Sequence, residues 1–285
     1  MFSYRHAFHA GNHGDVLKHL VLVQLLEYMT HKPSALWFVD SHAGGGRYRL
    51  DSKQALKRAE FRDGIGRLWQ PPALTVGWPE PVRAYLAQVR SVNPDGKLAL
   101  YPGSPQIALQ MLRAQDRLRL FELHPTEFSV LQQELGHGDR RVLLRREDGF
   151  AALRAVLPPP TRRALVLIDP SYEDKDDYLR VRRAVQEARK RFASGVYAIW
   201  YPLVRHQESH RLADNLARVA GDSWLRLSLT VQAQPAGGLG MRGSAMFVIN
   251  PPFTLEAALR ATLPWLVERL GRDERAAFEL QARQA

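Results

Sequence analysis

Ala164-Leu165-Val166-Leu167-Ile168-Asp169-Pro170-Ser171-Tyr172 is the stretch from which the fold is read. Five consecutive apolar residues, β-branched at Val166 and Ile168, suit a strand covered on both faces. The acid and proline that follow end it, because proline has no amide proton for a ladder. Outward from this stretch the same unit recurs. Strand candidates lie at Ala35 to Val39, Leu118 to Leu123 and Val142 to Leu144 on one side, and at Val196 to Tyr201, Leu225 to Val231 and Ala245 to Ile249 on the other. Helical stretches around 106–112, 126–135, 151–156, 177–192 and 208–219 fall between them. A first helix begins near Asp15, which sits where a cap or first-turn acid belongs. Alternation of this kind predicts an α/β fold, a mostly parallel twisted sheet with helices on both faces. The last two strands are joined by Gly237-Gly238-Leu239-Gly240 with no helix, which predicts an antiparallel hairpin at one edge. Residues 52–98 break the rhythm, their helical patterns split by Pro71, Pro72, Pro79 and Pro81. They predict a small helical insertion in a main unit made of 1–51 and 99–285. From Asp273 onward the chain is charged and reads as a loosely held tail.

In an open parallel sheet, ligands bind beyond the carboxyl ends of the strands, so the residues after each strand are the candidates. Asp40-Ser41-His42-Ala43-Gly44-Gly45-Gly46 follows the first. Its glycines allow a tight turn and close backbone approach. The spacing is not that of a dinucleotide fingerprint, so a pyrophosphate is not favoured. Glu122 follows the second strand and can accept hydrogen bonds from both hydroxyls of a ribose. Asp148-Gly149 follows the third, a carboxylate able to accept a proton from an adenine amino group beside a glycine that permits close approach. Taken singly, each is also what an ordinary turn offers.

Asp169-Pro170-Ser171-Tyr172 is the sharpest of these features. An amino group on a purine has its lone pair delocalised into the ring and is a poor nucleophile. Hydrogen bonds from its two N–H groups to a carboxylate and to a backbone carbonyl return that lone pair to nitrogen. An aromatic ring can stack on a base taken out of its helix. Asp169, the Pro170 carbonyl and Tyr172 supply these parts at adjacent positions. Asn250-Pro251-Pro252-Phe253 competes for the role. It follows the second arm of the expected hairpin, which would put it at the opposite end of the sheet, so Asp169 is preferred.

The N-terminal segment is rich in histidine and aromatic residues. A metal site from His6, His9 and His13 lacks an evident acidic or cysteine partner, so no metal is expected. Tyr4, His6 and Lys18 fit better as groups facing bases and phosphates at the mouth of the cleft. The net charge of +11, from 40 basic and 29 acidic side chains, attracts a polyanion. Arginine supplies 33 of the basic residues, and its planar fork suits phosphates and stacking. There is no cysteine, hence neither a disulfide frame nor a thiolate metal site. No apolar run is long enough for a membrane span and the N-terminus lacks a secretory core, so no membrane association and a cytoplasmic location are expected.

Together these motifs resemble the RlmJ-type 23S ribosomal RNA adenine-N6 methyltransferases over nearly the whole chain. The resemblance is carried by Tyr4-Arg5-His6, Phe8-His9-Ala10-Gly11-Asn12-His13 and Asp15-Val16-Leu17-Lys18-His19 at the start. It continues in His42-Ala43-Gly44, Tyr101-Pro102-Gly103-Ser104-Pro105, Glu122-Leu123-His124-Pro125, Asp148-Gly149, Ile168-Asp169-Pro170, Trp200-Tyr201-Pro202 and Asn250-Pro251-Pro252. It implies a Rossmann-like class I methyltransferase with an inserted helical subdomain, using S-adenosyl-L-methionine and releasing S-adenosyl-L-homocysteine. By that likeness His19, His42, Ser104, Glu122, Asp148 and Gly149 hold the cofactor. Asp169 engages the adenine amino group, Tyr172 stacks on the base, and Tyr4, His6 and Lys18 approach the RNA. The likeness also implies a monomer acting on protein-free or partly assembled 23S rRNA, and a structural role for Asn250. One position departs from the family's Asp-Pro-Pro-Tyr: Ser171 stands where the second proline would be. The accepting carbonyl belongs to Pro170 and survives, while rigidity after it is lost. Three other readings stay open: a DNA adenine-N6 methyltransferase, a non-catalytic RNA-binding assembly factor on the same fold, and a small-molecule methyltransferase, against which the basic charge argues.

Overall fold

The computed structural model describes residues 5–136, 138–234 and 240–283. Tyr4 and most of the glycine-rich loop, 235–239, lie outside the described residues. In chain order the strands are β1 Trp37–Asp40, β2 Arg47–Arg49, β3 Leu100–Pro102, β4 Arg117–Phe121, β5 Val142–Arg145, β6 Ala164–Ile168, β7 Val196–Leu203, β8 Trp224–Thr230, β9 Gly243–Ile249 and β10 Ala277–Arg283. The helices are α1 His13–His31, α2 Lys53–Arg58, α3 Ile65–Leu68, α4 Glu80–Ser91, α5 Ser104–Met111, α6 Pro125–Leu135, α7 Gly149–Val156, α8 Asp176–Arg191, α9 Gln207–Ala220 and α10 Phe253–Leu270.

Eight strands form one sheet in the order β10-β8-β9-β7-β6-β1-β4-β5. The pairs β5–β4, β4–β1, β1–β6 and β6–β7 are parallel. The order reverses at β1, so the crevice opens beyond the ends of β1 and its two neighbours. This is the α/β arrangement that the strand–helix alternation predicts, and the Rossmann-like one that the family resemblance implies. β6 is buried at every residue, and its two faces enter different cores. Leu165 and Leu167 pack with α1, α5, α6 and α10, whereas Val166 and Ile168 pack with α7, α8 and α9.

β8 and β9 are antiparallel, as the missing helix between them predicts. β9 also pairs antiparallel with β7, so the hairpin is inside the sheet. The edge is β10, antiparallel to β8 and formed by residues read from sequence as a loose tail. Asn250 therefore lies at the end of the sheet opposite Asp169. Its side-chain amide donates to the carbonyls of Ala193 and Gly195 at 2.7 Å, tying β9 to the turn that enters β7.

Residues 53–91 contain α2, α3, α4 and two short 3-10 turns. Ile65, Leu68, Val82, Tyr85, Leu86 and Val89 join the same core as Leu17, Leu20 and Leu25 of α1. That explains why α1 is apolar all round: sheet, inserted helices and α10 enclose it. Among the described residues no helix is long and apolar enough to cross a membrane.

Candidate active site

A cavity of about 300 Å³ opens at the carboxyl ends of β1, β4, β5 and β6. His42, Glu122, Asp148, Gly149, Asp169 and Pro170 line it, drawn from four separate strand ends, and His6 joins them from the N-terminal segment. Seven carboxylates border it: Glu122, Glu127, Asp148, Asp169, Glu173, Asp174 and Asp177. One arginine, Arg180, stands among them. In a chain of net charge +11 this is a concentrated negative field. It disfavours phosphates and favours a cationic ligand.

Each wall is fixed locally. Gly44 and Gly46 take left-handed φ of 61° and 80°, which lets the loop after β1 fold back toward β4. Gly44 N then donates to Glu122 Oε2 at 2.8 Å, and His124 N donates to Glu122 Oε1 at 2.7 Å. Burial nevertheless raises the Glu122 carboxyl above the usual range, against those two donors. Asp148 caps α7, its Oδ1 accepting from Phe150 N at 2.9 Å, while Arg180 donates to Oδ2 at 2.7 Å. Arg180 was not singled out from sequence; it also lies over the Phe150 ring at 4.6 Å. Gly149 is needed for a reason other than ligand approach. A Cβ there would lie 1.7 Å from the Ser41 carbonyl oxygen, so two loops of the cavity wall touch backbone to backbone. The His42 side chain packs edge-on to Phe150, and burial lowers its pKa to about 4, leaving a neutral ring.

Four expected residues are placed differently. Lys18 is not at the mouth of the cleft: it is buried, with Nζ 2.9 Å from Asp15 Oδ1 and 2.5 Å from Asp169 Oδ2. Burial opposes its charge, but the two carboxylates prevail and raise its pKa. His6 Nε2 lies 2.9 Å from Asp15 Oδ2, so a polar chain runs His6–Asp15–Lys18–Asp169. Burial works against the Asp15 charge too, but His6 and Lys18 hold its carboxyl well below the usual range. Asp15 is a first-turn acid; the cap of α1 is Asn12, whose Oδ1 accepts from Asp15 N at 3.0 Å. His19 is buried beside the Tyr101 ring, with Nδ1 2.9 Å from Tyr101 Oη. Burial lowers its pKa to about 3, and Nε2 has no partner among the described residues. Ser104 Oγ donates at 2.6 Å to Oδ2 of Asp40, a buried acid missed from sequence. Burial lifts the Asp40 pKa to about 7. Tyr172 is buried beside Tyr178 and Trp200 with φ of 54°, and its hydroxyl donates to the Trp200 carbonyl at 2.7 Å. It does not line the cavity. His9 bonds Glu60 at 2.9 Å and His13 is buried with its pKa lowered to about 4, chiefly by burial, so the N-terminal histidines are engaged separately.

These residues fit a nucleoside sulfonium. Glu122 and Asp148 present carboxylates fixed by backbone donors at the cavity wall, groups of the kind that accept from a ribose diol or an exocyclic amino group. The acidic border, seven carboxylates against one arginine, matches a positive sulfur. Comparison with known proteins places the chain in a family. The family model described as "Ribosomal RNA large subunit methyltransferase D, RlmJ" matches residues 33–280. The ribosomal RNA large subunit methyltransferase J of Haemophilus influenzae is 45% identical over 271 residues, 95% of this chain and 94% of that one. The Escherichia coli protein of the same name is 44% identical over 270 residues, with the same coverage. A crystal structure of a Legionella pneumophila protein superposes with a TM-score of 0.88 at 33% identity, covering 96% of this chain and 98% of that one. The chain belongs to the RlmJ family of ribosomal RNA large subunit methyltransferases.

Proposed function

We propose that this chain transfers a methyl group from S-adenosyl-L-methionine to N6 of an adenine in 23S rRNA. One observation carries the reading: Asp169-Pro170, at the end of a parallel strand, opens into the same acidic cavity as Glu122 and Asp148. When bound, the cofactor supplies an electrophilic methyl on a positively charged sulfur. Glu122 accepts from the ribose, and Asp148 and Gly149 border the cofactor's base. His42, His19 and Ser104 complete that side, the last two from behind through Tyr101 and Asp40.

Asp169 and the Pro170 carbonyl accept the two N–H bonds of the target adenine. Lys18 holds Asp169 by its Oδ2 at 2.5 Å, which fixes the carboxylate as an acceptor for the arriving base and for the N6 proton. Tyr172 stacks on the base after giving up its bond to Trp200. Relief of the left-handed φ, about 1–2 kcal/mol, is similar to the worth of the hydrogen bond given up, and stacking on the base replaces the ring's contacts with Tyr178 and Trp200. Ser171 in place of a second proline leaves the turn freer to make it. His6 and Tyr4 face the RNA. Residues 52–98 act as a helical subdomain of the 1–51 and 99–285 unit. The enzyme works as a monomer in the cytoplasm, on rRNA free of most ribosomal proteins.

Incubation with labelled cofactor and a protein-free 23S transcript, followed by mass mapping, tests this. Label on one adenine as N6-methyladenine is the expected product. Label on another atom, on duplex DNA in preference to RNA, or on no RNA at all refutes the reading.

A further inference from the structure

A second concavity lies at the carboxyl end of β8, which runs parallel to β7 and so ends on the same side of the sheet as Asp169. It is an open groove of about 1020 Å³ between α9, β8 and β10. It exists because α9 stops short of the outer strands. Arg226, Ser228 and Thr230 of β8 and Glu279 of β10 form its floor. Arg242 and Arg275 stand at its rim, with Glu279 the one carboxylate in its lining. Arg226 is already paired with Asp214 at 3.1 Å. The guanidinium groups of Arg242 and Arg275 make no ion pair among the described residues, so two cations are left for an outside anion.

The groove leads to the catalytic end. Arg242 N donates to the Leu203 carbonyl at 3.0 Å, and Tyr172 Oη donates to the Trp200 carbonyl on the same strand. These anchors are three positions apart on β7, about 10 Å. Met241, next to Arg242, packs against the first turn of α1; its Cε lies 3.3 Å from the Cβ position of Gly14, beside Asp15. The groove opens on the α9 face and α1 packs on the other, so a chain lying in it would reach Asp169 over the carboxyl-end rim of the sheet, past Arg242 and the end of β7. The two concavities differ in sign: seven carboxylates border the first, and unpaired arginines border the second.

Resting on the rRNA reading above, we propose that this groove carries the RNA strand flanking the target adenine, with Arg242 and Arg275 on its phosphates. Each phosphate contact releases counterions and adds about 0.7–0.9 to the slope of log affinity against log salt. The test uses the full chain, a 23S transcript, and Arg242→Gln and Arg275→Gln singly and together. Arg162→Gln, an exposed change just before β6 at the opposite end of the sheet, matches the loss of charge. The double variant is expected to lose about 1.4–1.8 from the salt slope and raise KM for RNA, with kcat and cofactor affinity unchanged. Arg162→Gln should keep the wild-type slope. A double variant with wild-type slope and KM, or an equal loss in Arg162→Gln, overturns the groove assignment. A lowered slope in the double variant, together with a wild-type protein that binds but methylates no RNA, would sink the functional reading and leave the groove standing.

Discussion

Gly149→Ala isolates what the backbone contact between two cavity walls is worth. The added Cβ would sit 1.7 Å from the Ser41 carbonyl oxygen, where real Cβ contacts essentially never fall below 3.0 Å, so the walls must part by about 1.3 Å. Alanine brings about 1 kcal/mol of helix propensity over glycine to the start of α7. Overpacking against backbone, which has no rotamer to yield, costs about 1–3 kcal/mol or more. The overlap is nearly half the contact distance, so the upper end applies and the steric cost wins. A net loss of about 2–3 kcal/mol lowers Tm by roughly 3–5 °C in a chain of this size. Because the loops carry His42 and Asp148, a shift of about 1 Å also weakens catalysis by about 10²-fold. Calorimetry of unfolding and titration with S-adenosylmethionine measure the two effects. An unchanged Tm with unchanged cofactor affinity would refute the reasoning and return Gly149 to the role of letting a ligand come close.

Lys18→Met should cost about 3–5 kcal/mol in urea unfolding, because it removes the buried cation from the buried Asp15 and from the partly exposed Asp169; an unchanged midpoint would contradict this. His13 and His19 are buried neutral, with pKa values lowered to about 4 and about 3, chiefly by burial. A depressed folded value means the unfolded chain binds the proton first. Their contribution is therefore complete above about pH 6.5 and is lost as pH falls toward 4, at up to about 1.4 kcal/mol per pH unit for each ring. A His13→Phe, His19→Phe double variant should flatten that part of the Tm profile, and an unaltered profile would rule these rings out. Glu122→Gln removes a charged acceptor and sets an amide N–H against Gly44 N or His124 N. Cofactor affinity should fall by about 10–10²-fold by titration, and an unchanged Kd would take Glu122 out of the site.

The strand framework and the carboxyl-end acids were legible because both are local. A buried parallel strand is an unbroken apolar run, and the acid that ends it is the next residue, as at Ile168-Asp169. Placement of side chains across elements was not. Lys18 reads as a surface cation, and only the approach of α1 to the end of β6 shows that it is shared between Asp15 and Asp169. Ser104 and His19 are separated from the cavity lining by partners, Asp40 and Tyr101, that lie 64 and 82 residues away in sequence. Tyr172 carries the aromatic character expected of it, but its left-handed φ turns the ring into the core, and a φ is not written in residue type. β10 was missed because an edge strand is half exposed: Phe278, Leu280 and Ala282 alternate with Glu279, Gln281 and Arg283 too weakly to stand out in a charged tail.

Methyl transfer as proposed depends on the Asp169 carboxylate gripping the adenine amino group. The most direct test of that grip is a single-turnover measurement of methyl transfer to 23S rRNA by Asp169→Asn, with cofactor affinity measured on the same sample. The account predicts a rate lower by at least about 10²-fold with the cofactor Kd close to wild type. Transfer at the wild-type rate, or a rate loss explained wholly by lost cofactor binding, would contradict it.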